Sequence, residues 1–358
     1  MDIRAWRVWV RNHRRLSAGL TVVAALLVVW AWWPATGKKF FGAPQSSGLQ
    51  AVGFYENHTM GSANPGSWSS LQSHWRQLSS ISPHWFAVNP DGSVTDIGYN
   101  GGLVAWAHTH HLTVVPLVTN ALGSTDVLWT QATRRAAAHH IESLMQQDHL
   151  DGVNIDFELL NPDSRDDLSR FVGDLAAYTK AHQKILAVSV FPLVGLPYAV
   201  NGADNYSALA QEANYLVIMA YDHHYSGGPP GPVAPWGWVN DNIKAALTHA
   251  PSDHLMLAIG MYGYDWVDSG GAEPAATVPD FAAQKLAQQY GTVPHYLADI
   301  SQNEFRYTAG GTPHIVYYMG DRSAGARVAL ALQYHLAGVA LWRLGYEDPR
   351  FWGTIPSR

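Results

Sequence analysis

Two acidic side chains end an apolar run that extends from Leu150 to Glu158. Its apolar residues alternate with Asn154, Asp156 and Glu158, so these polar side chains are expected on one face of a strand. Charge on the inward face of an apolar strand is costly unless it has a task, and desolvated neighbouring acids are a way to tune a catalytic proton. The competing interpretation is a buried carboxylate pair that is merely satisfied by neighbouring donors.

The run resembles the active-site signature of glycoside hydrolase family 18, Asp-Gly-x-Asp-x-Asp-x-Glu, on the fourth strand of a TIM barrel. Asp151 and Gly152 match its structural positions, and Asp156 and Glu158 match its acids. Asn154 stands where the commoner pattern has the middle Asp. That departure resembles the bacterial spore-cortex and cell-wall N-acetylglucosaminidases.

Two further segments agree with this family in order and spacing. Residues 219–222, Met-Ala-Tyr-Asp, resemble its sixth-strand motif, and residues 338–342, Gly-Val-Ala-Leu-Trp, resemble its eighth strand with a sugar-stacking Trp. The resemblance covers about residues 49–352, and three motifs in barrel order are more specific than one acidic segment.

The resemblance implies a catalytic role for each acid. Glu158 is the last polar residue of its strand and is expected to be the general acid at the C-terminal end of the barrel. Asp156 lies about 6.6 Å back along the strand, so both acids approach the substrate from one side instead of flanking the scissile bond. The expected reaction is therefore substrate-assisted, retaining hydrolysis of β-linked N-acetylglucosamine polymers.

The remaining site residues are assigned by the same resemblance. Asp156 would orient the acetamido N–H, Tyr221 would donate to the acetamido oxygen, Asp222 would contact the sugar, and Trp342 would lie beneath its ring. Taken alone, Tyr221 and Trp342 on apolar strands would more often be core residues. Three further substrate-binding candidates are less specific: Tyr55, Met219, which either lines the acetamido pocket or fills the core, and Asn154, expected to hydrogen-bond Asp156.

The elements that must position these residues follow from the alternation of apolar runs with amphipathic stretches, which predicts βα units and a parallel sheet. Eight candidate strands, the number that a closed barrel needs, cover residues 51–55, 85–88, 113–118, 152–157, 185–191, 215–221, 255–261 and 338–342. Helices are predicted at residues 126–147, 164–182, 239–248, 280–290 and 323–335. The length permits two domains, but one (β/α)8 TIM barrel, an α/β fold spanning residues 49–358, also fits.

The segment between the seventh and eighth strands is too long for one crossover. We expect a small α+β insertion at about residues 262–322, with one helix and short strands at 304–307 and 315–318. Members of the resembled family often carry such an insertion as one wall of the cleft.

The N-terminus predicts a membrane anchor. Residues 1–15 contain five arginines, residues 16–33 are uncharged and apolar, and residues 34–48 are rich in Pro, Gly and Ser. This order predicts a cytoplasmic basic segment, a transmembrane signal anchor and a linker, with the catalytic domain outside the cell membrane. A cleaved signal peptide and a secreted protein are the alternative.

Composition limits the partners. The formal net charge is −6 and only 14% of residues are charged, which argues against a nucleic-acid partner. No cysteine is present, and the 18 histidines show no zinc-ligand spacing. We therefore expect neither a metal nor a cofactor.

The expected partners are the lipid bilayer and a polysaccharide containing N-acetylglucosamine. Peptidoglycan, including spore cortex, comes first because of Asn154 and the Gly-Pro loop at residues 226–232; chitin comes second. The alternative is a catalytically silent chitinase-like carbohydrate-binding protein, although such relatives usually lose the acid that Glu158 represents.

Overall fold

A closed barrel of parallel strands is the centre of the computed structural model, which describes residues 48–57, 66–121, 124, 128, 130–268 and 274–355. The strands in chain order are β1 (Gln50–Tyr55), β2 (Ser80–Val88), β3 (Val94–Asp96), β4 (Thr113–Val114), β5 (Leu117–Asn120), β6 (Gly152–Asp156), β7 (Ile185–Val190), β8 (Tyr215–Ile218), β9 (Leu255–Gly260), β10 (Tyr262–Val267), β11 (Ala276–Pro279), β12 (His295–Leu297), β13 (Gln302–Ala309), β14 (Thr312–Tyr318) and β15 (Gly338–Trp342). The barrel order is β1, β15, β9, β8, β7, β6, β5 and β2.

Strand β1 closes the barrel because it pairs in parallel with both neighbours. Gln50 lies opposite Gly338 of β15, and Tyr55 lies opposite Pro83 of β2. With all eight strands parallel, their C-terminal ends meet at one rim, where barrel enzymes place their active sites. β3 pairs antiparallel with β2, and β4 pairs with β2 beside β5.

Helices pack around the barrel, except the helix Asp280–Gln289, which belongs to the insertion between β9 and β15. They are α1 (Trp68–His74), α2 (Gly101–Thr109), α3 (Gln131–Gln147), α4 (Arg165–His182), α5 (Tyr198–Asn201), α6 (Tyr206–Glu212), α7 (Trp236–Leu247), α8 (Asp280–Gln289) and α9 (Gly320–Gln333). Short 3₁₀ helices occupy Trp75–Gln77, Pro162–Ser164, Ser252–His254 and Pro349–Thr354. In α4, Leu168, Phe171, Val172 and Leu175 recur at helical spacing and are fully buried, so this stripe fixes the helix against the strands.

The core has two layers. An outer core fills the space between strands and helices, and a smaller inner core fills the barrel. The buried members of the inner core are Phe54, Leu117, Ala187, Val217, Met256, Ala258 and Ala340. The middle of the barrel is therefore packed with apolar side chains.

The insertion between β9 and β15 is a five-stranded antiparallel sheet in the order β11, β10, β14, β13 and β12. Ala283 and Ala287 of α8 pack with Phe305, Val316 and Tyr318 of this sheet. The predicted α+β insertion is thus confirmed, with more strands than the two that were expected. Only β13 and β14 had a clear apolar pattern in the sequence.

The predicted eight-stranded barrel is also confirmed, with shifted boundaries. β2 begins at Ser80 instead of residue 85, although Pro83 lies within it, and the third strand is split into β4 and β5 around Pro116. Proline cannot donate a ladder hydrogen bond, which explains the break. Four shorter helices, α1, α2, α5 and α6, were not predicted. All five predicted helices are present with ends moved by a few residues.

The predicted cytoplasmic segment at residues 1–15 and the anchor at residues 16–33 lie outside the described residues, as does nearly all of the linker. Among the residues that the structure describes, no helix is long and apolar enough to cross a bilayer.

Candidate active site

Strand β6 places the two acids at the mouth of the barrel. Asn154 and Asp156 are 3% and 7% exposed, whereas Glu158, just beyond the strand, is half-buried. At the opposite end of β6 the chain packs too closely for a side chain, because a Cβ on Gly152 would lie 2.0 Å from the Ile185 carbonyl oxygen. This contact fixes β6 against β7 and so fixes the height of the acids above the inner core.

The two acids have different proton affinities. Burial raises the pKa of Asp156 to about 6, against the opposing effects of a Ser189 hydrogen bond and the charge of His84. Burial, with the charges of Asp156 and Asp222, raises the pKa of Glu158 to about 8. Near pH 7 the site therefore holds a protonated Glu158 beside an ionised Asp156. This is the pairing that a proton donor and a neighbouring charge stabiliser require.

The backbone of Glu158 is held by an amide side chain that no sequence motif indicated. Asn120, the last residue of β5, accepts a hydrogen bond from the Glu158 N–H at 2.9 Å and donates one to the Glu158 carbonyl oxygen at 2.9 Å. The next residue, Leu159, has a φ of +56°, so the chain turns sharply after the acid. Asn120 thus positions the acid through its main chain.

Asn154 has a different partner from the one predicted. The Ser189 hydroxyl, on β7, lies 3.3 Å from Asn154 Oδ1 and is also a hydrogen-bonding neighbour of the Asp156 carboxylate. Its single proton serves one of these two acceptors at a time. Oδ1 of Asp156 is buried and has no hydrogen-bond partner among the described residues. A buried acceptor without a partner is costly, so this oxygen is available to a substrate N–H.

The predicted sixth-strand residues lie beside the acids. Asp222 has a φ of +59° and accepts hydrogen bonds from Tyr262 at 2.5 Å and Tyr264 at 2.9 Å, both in β10 of the insertion. Burial raises the pKa of Asp222, against the effect of these two hydroxyls. Burial and the charges of Asp156, Glu158 and Asp222 raise the pKa of Tyr221 well above its ordinary value. Tyr221 therefore remains a hydroxyl donor at any physiological pH.

The other predicted substrate contacts are distributed between the cleft and the core. Trp342 ends β15, is half-buried and meets Phe54 of the inner core edge-on at 5.2 Å, and the Trp342–Arg343 peptide bond is cis. Met219 is 7% exposed. Tyr55 is 6% exposed and belongs to the outer core, so its sugar contact stays a prediction.

Asp151 and Gly152 lie at the far end of β6, in keeping with the structural positions predicted for them. The Asp151 carboxylate accepts a hydrogen bond from the Val114 N–H at 2.8 Å, and its Oδ2 lies 2.9 Å from Nε2 of His108. Asp151 thus ties β6 to β4 and to α2 on the side away from the cleft.

Three titratable residues near the acids were missed in the sequence. Glu56 follows β1 and contacts His84 of β2, with 2.9 Å between Oε1 and Nδ1. Asp204 accepts a hydrogen bond from the Phe191 N–H at 2.7 Å, and burial raises its pKa to about 7. Each lies outside a recognisable motif. The place of Glu56 just after β1 and of His84 within β2 could have indicated these two, whereas Asp204 lies between α5 and α6 and had no such signal.

Among the described residues, no group of three or more His, Asp or Glu side chains could hold a metal ion.

Known proteins resemble this chain in sequence and fold. The cortical fragment-lytic enzyme of Bacillus subtilis is 31% identical over 207 residues, which are 56% of this chain and 48% of that enzyme. YdhD of the same organism, named as a sporulation-specific glycosylase, is 27% identical over 277 residues, 74% of this chain and 66% of that protein. The chain thus spans 48% and 66% of the lengths of these two curated relatives.

A chitinase from Chromobacterium violaceum has the same fold, with a TM-score of 0.79 and 25% identity over 86% of this chain and 98% of that one. The sequence model described as Glycosyl hydrolases family 18 matches residues 100–347, more than two thirds of the chain, and includes β6, β8 and β15 with their site residues. This chain therefore belongs to glycosyl hydrolase family 18.

Proposed function

We propose that the chain hydrolyses β-linked N-acetylglucosamine polymers by substrate-assisted, retaining catalysis. The observation that carries this proposal is the arrangement of Asp156 at the end of β6 and Glu158 two residues beyond it, with opposite protonation near pH 7. Asp222 already accepts two tyrosine hydroxyls. Its carboxylate is thus engaged by the protein itself. A protein nucleophile on the face of the sugar opposite Glu158 is not required, because the substrate's acetamido oxygen can fill that role.

In the first step, the protonated Glu158 gives its proton to the glycosidic oxygen while the acetamido oxygen attacks the anomeric carbon and the glycosidic bond breaks. The resulting oxazolinium ion is positive. The ionised Asp156 stabilises its charge and accepts a hydrogen bond from its N–H group. Tyr221 donates its hydroxyl to the acetamido oxygen, which aligns that atom. In the second step, a water oxygen attacks the anomeric carbon while Glu158 takes the water proton. The bond between that carbon and the acetamido oxygen breaks, which restores the acetamido group and gives net retention.

We place peptidoglycan, including spore cortex, first among the substrates and chitin second. Asn154 in place of the commoner aspartate supports this order, as does the similarity to a cortical fragment-lytic enzyme. The likeness to a chitinase structure supports chitin as the second candidate. Both polymers supply the 2-acetamido group that the mechanism requires.

Digestion of purified peptidoglycan and of chitin, with product masses, tests the substrate, and NMR of the first product tests the mechanism. We expect saccharides with N-acetylglucosamine at the new reducing end and the β anomer first. The α anomer first, or equal cleavage of glucosyl and N-acetylglucosaminyl analogues, would exclude substrate assistance.

A silent carbohydrate-binding protein is the second candidate. It would bind N-acetylglucosamine oligomers at the same cleft and release no product at any pH. The protonated Glu158 at the mouth of the barrel favours the enzyme.

For localisation, we propose that residues 16–33 anchor the protein in the cytoplasmic membrane and leave the catalytic barrel outside, with secretion if the segment is cleaved. The arginine-rich start, the apolar stretch and the Pro/Gly/Ser linker support this orientation.

A further inference from the structure

Strand β2 carries an ionisable side chain into the mouth of the barrel. In the register of the parallel strands, His84 lies opposite Leu117 of β5, and Leu117 lies opposite Asn154 of β6. Residues in register on parallel strands point to the same side, and Leu117 belongs to the inner core. His84 therefore points inward at the level of Asn154, one layer below Asp156.

A carboxylate at the rim holds this histidine. Glu56 follows β1, and its Oε1 lies 2.9 Å from Nδ1 of His84. The two side chains are 31% and 32% exposed, so the pair opens into the cleft instead of lying in the core. The Glu56 main chain is fixed as well, because its N–H donates to Ser67 Oγ at 2.9 Å and its carbonyl oxygen accepts from the Ser67 N–H at 3.1 Å. The pair is thus anchored on β1 and β2, on the far side of β5 from the acids.

The surroundings of Asp156 are mostly acidic. Glu158 follows it on the same strand, Asp222 lies beyond β8, and Asp204 lies beyond β7. Neutral neighbours are Ser189, Asn154 and Tyr221, and the basic group whose charge favours the ionised form of Asp156 is His84. Burial lowers the pKa of His84, but the hydrogen bond and charge of Glu56 and the charge of Asp156 together raise it.

We propose that the Glu56–His84 pair is a positioning device that presents an imidazolium to Asp156 and keeps this acid ionised while Glu158 holds the catalytic proton. The proposal rests on the catalytic roles given above for Asp156 and Glu158. Its physical basis is that Asn154 can neither accept a proton nor supply charge, so another residue must set the charge of Asp156. Glu56 acts through His84, and His84 acts through Asp156.

The first test is the pH profile of kcat/KM for a β-N-acetylglucosaminide, measured with the full chain. Removing the cation in His84→Gln raises the pKa of Asp156, so the acid limb should move up by about one pH unit while the rate above pH 8 changes little. Glu56→Gln lowers the pKa of His84 and should move the limb in the same direction. His84→Lys restores a cation and should return the acid limb of the pH profile to its wild-type position. The double variant His84→Gln/Glu56→Gln should equal His84→Gln alone.

The matched control is His108→Gln, which breaks a histidine–aspartate contact of the same 2.9 Å length with Asp151 at the opposite end of β6. It should leave the pH profile in place. A fall in kcat for His84→Gln that is equal at every pH would show a purely structural role and overturn the proposal. A change confined to KM would show a direct substrate contact and would also overturn it.

A second readout does not need turnover. The proton equilibrium of His84 can be followed by NMR of its Cε1–H, assigned from the resonance that His84→Gln removes. Coupling between two sites is reciprocal, so Asp156→Asn should lower the pKa of His84, as should Glu56→Gln. An unchanged His84 pKa in Asp156→Asn would overturn the proposal. If that coupling is present but no glycoside is cleaved, the proposed function fails and the electrostatic pair stands.

Discussion

The two acids of β6 differ because their surroundings differ. Asp156 has the Ser189 hydroxyl and the His84 charge to favour ionisation, whereas Glu158 faces the charges of Asp156 and Asp222. Desolvation acts on both, so the neighbouring groups decide which acid keeps the proton. The same chemical group is thus ionised in one position and protonated in the other near pH 7.

Glu158→Gln should reduce turnover by about a hundredfold or more, because glutamine keeps the shape of the side chain and cannot release a proton. Affinity for N-acetylglucosamine oligomers should remain close to that of the wild type. Steady-state kinetics and calorimetric binding measure the two quantities. Glu212→Gln, which removes the charge of a surface glutamate paired with Lys180, is the matched control and should retain full activity. Substantial turnover in Glu158→Gln would mean that another residue is the acid.

The raised pKa of Glu158 also predicts a pH-dependent stability difference. A carboxyl whose folded pKa is about 8, above its ordinary value near 4.5, is destabilised by ionisation in the fold. Its contribution to stability is therefore full below about pH 4.5 and is lost as the pH rises towards 8. Since glutamine does not titrate, the melting temperature of Glu158→Gln relative to the wild type should increase by roughly a few degrees between pH 5 and 9. A difference that stays constant over this range would contradict the assignment.

At the scale of elements, the insertion contributes directly to the catalytic mouth. Tyr262 and Tyr264 reach from β10 to Asp222, and Trp266 of the same strand donates to the Gly228 carbonyl oxygen at 3.1 Å. These bonds join the insertion to the end of β8 and to the loop that follows it. The insertion therefore fixes one catalytic-site carboxylate and the Gly-Pro loop together.

The close packing of β6 against β7 can be tested by adding one methyl group to Gly152. Gly152→Ala would place a Cβ 2.0 Å from the Ile185 carbonyl oxygen, which would force the strands apart and displace Asp156. We expect a loss of about 3 kcal/mol in the free energy of unfolding, measured by urea denaturation, together with a loss of activity.

Gly173→Ala is the matched control because the only atom near its added methyl is Glu212 Cγ, at 4.0 Å. In the interior of α4 this change should stabilise the protein by up to about 1 kcal/mol. Equal effects of the two substitutions would show that β6 and β7 can separate without cost.

For the whole molecule, closure depends on the first described strand. β1 pairs with both β15 and β2, and without it two strands of the barrel would have exposed edges. The barrel therefore begins within a few residues of Gln50, directly after the proposed linker.

Deleting residues 1–48 should convert a membrane-bound protein into a soluble, active enzyme, because the cut removes the proposed anchor and linker and leaves β1 intact. Fractionation of cells and assay of both fractions measure this. Deleting residues 1–56 is the control: it also removes β1 and should yield a chain that does not fold. External protease should release the barrel from spheroplasts. Full-length protein that is already soluble, or that is wholly protected from protease, would contradict the proposed topology.

The sequence by itself determined the strand order, the barrel class and the acidic face of β6. These features depend on local alternation and on segments of a few residues, so they can be recognised without knowledge of the fold. The same local signal was weak in β1, where every residue from Ala51 to Tyr55 is uncharged. It could not indicate that Phe54 faces the inner core and Tyr55 the outer core.

Only the tertiary structure decided which groups surround the acids. Glu56 and His84 are 28 positions apart, Asn154 and Ser189 are 35, Asn120 and Glu158 are 38, and Asp222 and Tyr264 are 42. Such contacts depend on the register of neighbouring strands and on where the insertion sheet lies over the rim. Periodicity within one segment carries no information about either. The proton affinities of Asp156 and Glu158, and hence which of the two acids is protonated near pH 7, follow from those long-range contacts.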